Sequence, residues 1–410
     1  TKTAAKITDP LSMPPRISLN SLAQLSEEDR GYSDQTPPPR SYGRQDIASN
    51  EINAQILINY KNKVGDKFHY ALMGGGNQMS YKLRNIMSSV DQLSIPGVYK
   101  LANGIHNPLV ESRDSREKMN SLFGQLSLSW NENIFVDVTG RNDWSSTLPL
   151  ENDSYFYPSV TGSFILSDLF KITGPVNLLK YRISFAQVGS GASPYQTSLY
   201  YNQSKFPSSA QVPTSLYNSS LKPEITSSWE TGFDLQLFND RLGTNVTFYS
   251  AITKNQILSL PSDIVTGFSQ RTINAGNVRN DGVEIVLTGT PAVSNDLRWD
   301  VTLNWSTNRN RIQSLTTNLV KQTLTSIWLA SFVATKGGST NDLWGKRFKR
   351  DPGGNIIYEN GAPQYDDTAS FYGDVSPDWV AGITNTIRYK NFHLSFTFDG
   401  QYGGLLWSGT

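Results

Sequence analysis

The feature that most constrains this chain is a strict two-residue alternation that returns along nearly its whole length. In "RWDVTLNWS", Trp299, Val301, Leu303 and Trp305 alternate with Asp300, Thr302, Asn304 and Ser306. "SWETGFDLQLF" sets Trp229, Phe233, Leu235 and Leu237 against Glu230, Asp234 and Gln236. "NFHLSFTFDG" sets Phe392, Leu394, Phe396 and Phe398 against His393, Ser395, Thr397 and Asp399. Successive side chains of a strand leave on opposite faces, so each stretch is a strand with one apolar and one polar side. Roughly twelve such strands can be drawn. They fall near 51–60, 67–76, 119–130, 134–142, 155–166, 179–189, 227–238, 243–254, 278–290, 298–309, 379–389 and 392–402.

The connections narrow the architecture further. Short ones at 61–66, 131–133, 239–241, 290–297 and Lys390–Asn391 alternate with long polar ones at 77–118, 143–154, 190–226, 255–277 and 310–378. A medium one, 169–177, is expected to hold a brief helical turn. A soluble sandwich has no reason to alternate in this way. A membrane barrel does, with short periplasmic turns at one end and longer extracellular loops at the other. Lipid offers a backbone no hydrogen bonds, so only helices or closed barrels cross it, and strands of about 10 residues suffice. No apolar run approaches the ~18 residues of a spanning helix. Trp130, Trp299 and Tyr389 fall at short-turn ends, where an interfacial aromatic girdle belongs. Only 17% of residues are charged and 11% are aromatic, which fits polar loops on an all-β frame rather than disorder.

The expected fold class is therefore all-β: a transmembrane antiparallel β-barrel, about twelve strands of a larger one, with long extracellular loops. Residues 1–410 read as part of one barrel domain, with 1–50, including "TPPPR", as an extracellular loop. Glu230, Asp234, Asp300 and Asn304 are expected to line a wet interior. The chain begins at Thr1 and stops after "QYGGLLWSGT", and is read as a piece of something longer. Alone, it would leave strand edges unpaired and is expected to aggregate.

Other chemistries find little footing. A net charge of +1 sets up no field for nucleic acid. There is no cysteine, hence no disulfide, thiolate zinc site or Cys nucleophile. His69, His106 and His393 are not at metal spacing; His69 and His393 are expected on the polar face. "RDPGGNIIYENGAPQYDD" (350–367) lacks the Asp-x-Asp-x-Asp-Gly order of a calcium loop and reads as a turn-rich hairpin. "GGG" at 74–76, placed at a strand end, has no following Lys-Ser/Thr and is no phosphate loop. No enzyme, metal or cofactor is expected.

Five blocks carry a family resemblance. "GRNDWSSTLP" (140–149) with "SYFYPSVTGSFILSD" (154–168) resembles the SusC/RagA-type TonB-dependent outer-membrane transporters of Bacteroidetes. In order, "LKPEITSSWETGFDLQLFNDRLGTNVTFY" (221–249), "NAGNVRNDGVEIVLTGTP" (274–291), "WDVTLNWSTNRNRI" (299–312) and "SPDWVAGITNTIRYKNFHLSFTFDGQYGG" (376–404) are similar to later blocks of that family. The resemblance implies a 22-stranded plugged barrel, of which this chain holds middle-to-late strands without the plug, the TonB-contacting box or the final strands.

It further implies active import of a large nutrient, an oligosaccharide or sometimes a peptide, across the Gram-negative outer membrane. The implied partners are outer-membrane lipid, a SusD-like surface lipoprotein acting as a lid, and the TonB complex through segments outside this chain. Within the first block, Gly140, Arg141, Asn142, Asp143, Trp144, Ser145, Ser146, Leu148 and Pro149 are expected to be structural. There Arg141 would pair with Asp143, Asn142 and Ser145 would satisfy turn backbone, and Trp144 would anchor at the outer interface. Trp328, Trp344, Tyr358 and Tyr372 are candidate contacts for substrate or lid, with loop self-packing as the simpler role. A passive porin and a non-transporting surface-binding barrel remain as alternatives.

Overall fold

In the computed structural model, residues 5–8, 11–30, 41–203, 208–316, 320–327 and 330–406 are described. One 15-stranded antiparallel sheet carries the chain. Its strands are β1 (Ala5–Thr8), β2 (Leu11–Met13), β3 (Pro15–Arg30), β4 (Ser41–Val64), β5 (Phe68–Val90) and β6 (Leu109–Trp130). There follow β7 (Ile134–Ser145), β8 (Ser154–Ile165), β9 (Val176–Ser190), β10 (Glu224–Leu237) and β11 (Leu242–Lys254). The last are β12 (Asn277–Val293), β13 (Leu297–Ser314), β14 (Trp379–Tyr389) and β15 (Phe392–Tyr402). From β4 onward each strand pairs with the next, the up-and-down order of a barrel wall. Among the described residues no ladder joins β15 back to the first strands, so the sheet is an open arc.

All twelve expected strands are present, and the register shows that they share two faces. Phe68, Trp130, Ile134, Phe164, Tyr181, Phe233, Val246, Ile285 and Trp305 form one lateral row across nine strands. One residue along, the opposite face carries His69, Ser129, Phe135, Ser163, Arg182, Gly232, Thr247, Glu284 and Ser306. A sheet with one apolar and one polar side separates two different solvents. Glu230, Asp234, Asp300 and Asn304 all lie on the polar side, as do His69 and His393.

Three expectations change. Residues 1–50 are not all loop, because Leu11–Met13 and Pro15–Arg30 extend the sheet, with Pro15–Arg30 paired to Ser41–Ile56. Leu22 breaks the alternation of Ile17, Leu19 and Leu25, and prolines flank the stretch, so its period is blurred. The segment 77–118 is mostly strand as well. β4, β5 and β6 are 24, 23 and 22 residues long, about 75 Å at ~3.3 Å per residue. An apolar belt of ~25 Å needs only the part of each strand next to the short turns, so the rest stands beyond it as a paired polar extension. Finally, Gly74–Gly76 sit inside β5 rather than at its end. The helical turn of the 169–177 connection falls slightly earlier, at Leu166–Leu169.

The long connections build their own sheets. Lys321–Ile327, Ala330–Thr335, Asp342–Phe348 and Tyr365–Asp374 form a four-stranded sheet between β13 and β14. Ser215–Leu216, Ile257–Pro261 and Gln270–Asn274 form a three-stranded one. The 350–367 stretch is indeed a hairpin. Tyr358–Glu359 pair with Ala362–Pro363 through Asn360 and Gly361, whose φ values of 52° and 80° suit an Asn-Gly turn.

Candidate functional site at the inner wall and outer rim

The strands deliver side chains to the polar face at every second position, so its chemistry follows from register. Arg182 on β9 pairs with Asp234 of β10 at 3.1 Å, and Lys180 approaches the same carboxylate at 3.9 Å. Asn245 of β11 donates to that carboxylate as well. Further along, Glu284, Asn304, Ser306, Asp399 and Gln401 line a recess of about 660 Å³ on this face. The polar wall is thus mixed in sign and hydrogen-bonding.

The segment 140–149 closes the outer end of β7. Arg141 and Asp143, two apart on one strand, point to the polar face and pair at 2.8 Å. Arg141 also donates to Ser121 Oγ at 2.9 Å, and its guanidinium lies 5.7 Å from the Phe123 ring centre. Asp143 is 2% exposed and accepts a second bond from the Tyr157 hydroxyl. On the other face, Asn142 Nδ2 reaches Ser154 Oγ at 3.0 Å. Gly140 leaves room for the Phe156 ring, which an added Cβ would meet at 3.0 Å. Trp144 lies on the apolar face, in one row with Asn120 and Gln78.

Where the strand ends, Ser145 Oγ and Thr147 Oγ1 bond at 2.8 Å, and Thr147 N donates to Ser145 Oγ at 3.3 Å. Ser146 exchanges bonds with Lys118, its N–H donating to the Lys118 carbonyl and its Oγ accepting from the Lys118 N–H. Pro149 O accepts from Asn152 N. Leu148 packs with Tyr155, Ala192 and Leu221 in a small apolar core. Arg141, Asp143, Ser145, Ser146, Thr147 and Leu148 thus make their contacts within the chain reversal and its flanking strands. The Arg-x-Asp spacing recurs at Arg44–Asp46, Arg279–Asp281 and Arg298–Asp300, all paired within 3.0 Å.

The rim sheet gathers two of the aromatic candidates. Lys321 Nζ lies 3.5 Å from the Trp344 ring centre, and Phe371 is 5.8 Å away on the same side. Trp344 Nε1 is buried without a hydrogen-bond partner. Tyr372 donates its hydroxyl to the Lys346 carbonyl, and Arg347 sits 5.4 Å from its ring. Tyr358 stands apart on the exposed hairpin, and Trp328 lies outside the described residues. A recess of about 540 Å³ opens where this sheet meets β13. Arg309, Arg311, Asp342, Asp374, Trp344 and Phe371 line it. Burial, with Asp374 nearby, pushes the Asp342 carboxyl above its ordinary value, against the Ser339 N–H bond that favours the charged form. Sequence reasoning missed this mixed-charge recess, since its residues come from segments some 60 positions apart.

An antiparallel up-and-down wall with a polar inner face, an aromatic-banded outer face and sheet-bearing loops at one end defines a transport-type membrane barrel. Known proteins agree. The family described as "TonB dependent receptor-like, beta-barrel" matches residues 16–407, and the chain belongs to that family. TonB-dependent receptor P26 of Formosa agariphila is 25% identical over 388 residues, 86% of this chain and 39% of its own length. TonB-dependent receptor SusC of Bacteroides thetaiotaomicron is 24% identical over 313 residues, covering 69% of this chain and 31% of SusC. The RagAB peptide transporter structure superposes with a TM-score of 0.78 at 19% identity, over 97% of this chain and 46% of the other. At that identity the likeness speaks for the fold. The chain thus spans less than half the length of these relatives.

Proposed function

We propose that this chain is part of the wall and extracellular rim of an outer-membrane importer. In that reading TonB drives uptake of a large nutrient, and a SusD-like surface lipoprotein covers the rim. The observation that carries the reading is the two-faced sheet of a TonB-dependent receptor barrel. Its apolar belt meets outer-membrane lipid, and its polar face, with the Arg182–Asp234–Lys180 cluster, lines the passage.

The substrate favoured first is an oligosaccharide. Tyr358 and Tyr372 present exposed aromatic surface at the rim, and Trp344 lines the rim recess with one ring face under Lys321; ring faces with flanking polar groups suit sugar stacking. A peptide is the second reading. The rim recess carries both Arg309/Arg311 and Asp342/Asp374, which suit the two termini of a short peptide, and the RagAB neighbour is described as a peptide transporter. Family membership favours an energised importer over a passive porin.

The test is uptake by cells whose full-length protein carries Trp344→Ala with Tyr358→Ala, against wild type, with oligosaccharide mixtures and peptide mixtures supplied separately. Loss of growth on glycans alone supports the first reading, and loss on peptides alone the second. Uptake that persists after TonB is removed refutes the importer.

A further inference from the structure

The outward face of β3–β6 carries cations where the apolar belt ends. Following register, Ser21, Asn50, Lys82 and Arg116 form one lateral row. The next row toward the belt is Leu19, Ile52, Ser80 and Lys118, and the next is Ile17, Ala54, Gln78, Asn120 and Trp144. Lys82, Arg116 and Lys118 therefore stand two to four residues beyond the Trp144 row, about 7–13 Å along the strand and less in height because the strands tilt. All three are exposed. The described carboxylates sharing this face are engaged elsewhere. Asp114 lies 3.5 Å from Arg84, Asp46 pairs with Arg44, and Glu27 accepts from the Tyr42 hydroxyl. Among the described residues, no carboxylate pairs with Lys82, Arg116 or Lys118.

Directly below the cations the same face is hollowed. Gly74, Gly124 and Gly140 are register neighbours on β5, β6 and β7, and Gly76 adjoins them. Nothing lies within 4 Å of a Cβ built on Gly74. Without side chains there, two recesses of about 640 and 860 Å³ open between walls of Ile17, Ile56, Ile58, Leu122, Phe156 and Trp144. Gly76 lies six positions from Lys82, about 20 Å along the strand, the scale of a membrane acyl chain.

We propose that this face binds one outer-leaflet lipid with a phosphorylated headgroup. The glycine-floored groove takes an acyl chain, and Lys82, Arg116 and Lys118 hold the phosphate. Charge complementarity selects the occupant, because three unpaired cations at the rim of an apolar belt match a phosphate layer and not a hydrocarbon. This inference rests on the outer-membrane reading of the barrel.

The test uses the full-length protein in neutral phosphatidylcholine nanodiscs, titrated with diphosphoryl lipid A as the probe and read by native mass spectrometry. Heat-modifiable migration on gels reports insertion. Each cation near a phosphate layer is worth about fivefold, so K82Q/R116Q/K118Q should weaken binding about a hundredfold. Gly124→Leu should also weaken binding in protein that keeps its heat-modifiable migration, since a Cβ there makes only an ordinary contact with the Met73 carbonyl at 3.6 Å and the side chain would stand on the groove floor. Deacylated lipid A and inorganic phosphate should not compete.

Inserted protein whose triple variant binds as wild type overturns the inference and leaves the transporter reading intact. Full competition by inorganic phosphate also overturns it, reducing the face to an ion patch. So does protection of the three cations by a surface lipoprotein instead of lipid. Failure of the wild type to insert overturns both readings.

Discussion

Replacing Arg141 by Met should strand a buried carboxylate. Asp143 is 2% exposed and has two charge-satisfying partners, Arg141 at 2.8 Å and the Tyr157 hydroxyl. Removing one partner of a buried pair typically costs 3–5 kcal/mol. The lower end applies here, because Tyr157 remains and the Arg141 side chain is itself a third exposed. A loss of about 3 kcal/mol is expected. The assay is denaturant unfolding of the full-length protein in liposomes, followed by heat-modifiable gel migration. Asp143→Asn should cost less, since Arg141 can turn to water. The double variant R141M/D143N should be more stable than R141M alone, because no charge is then buried. Two results would refute the reasoning: an R141M protein within about 0.5 kcal/mol of wild type, or a double variant less stable than either single one. A knot that served substrate instead would lose uptake with its stability unchanged.

Further outcomes follow from local geometry. Gly75→Val should cost about 1–3 kcal/mol by overpacking, as its Cβ would meet Ile56 O at 2.6 Å and the Phe123 ring at 2.9 Å. Gly74→Ala, in open space, should be near neutral in the same unfolding assay. Asp342 has its pKa raised by burial, so the folded state holds its proton longer than the unfolded one. The rim sheet should then lose stability as pH rises through the folded value, and D342N should flatten that dependence in amide exchange corrected for intrinsic rates. Asp351 is the reverse case. Backbone and side-chain bonds from Asn355 lower its pKa, so its turn is supported above the ordinary carboxylate range and loosens as pH falls through the folded value. Proteolysis of the 350–367 hairpin at graded acid pH would show a flat profile if this is wrong.

How much of this was readable from the chain depended on where burial imposed a period. The twelve wall strands were legible because lipid on one side and water on the other force alternation. The β3 strand was not, since Leu22 falls out of phase. The extensions of β5 and β6, "NQMSYKLRNIMSSV" and "LVESRDSREK", carry polar residues on both faces because water reaches both, so nothing marked them as strand. In the knot, the Arg141–Asp143 pair follows from i, i+2 spacing on a strand. Its other partners, Ser121 and Tyr157, come from β6 and β8, and a single sequence does not state which residue faces which across a ladder. The rim recess and the row of Lys82, Arg116 and Lys118 were hidden for the same reason.

The Arg-x-Asp pairs have a consequence for how such a wall is assembled. Each of the four joins two residues of the same strand, so it needs no neighbour to form. A hairpin arriving at the bilayer before its ladder is complete already carries those arginines neutralised. A bare arginine carried through the hydrocarbon costs about 2–4 kcal/mol at mid-bilayer, whether its final place is the polar face or the rim, and a pair formed within the strand lowers that cost in transit. Strands that balance their own charge can be added in sequence, and the order of insertion need not wait on the pairing that later fixes register.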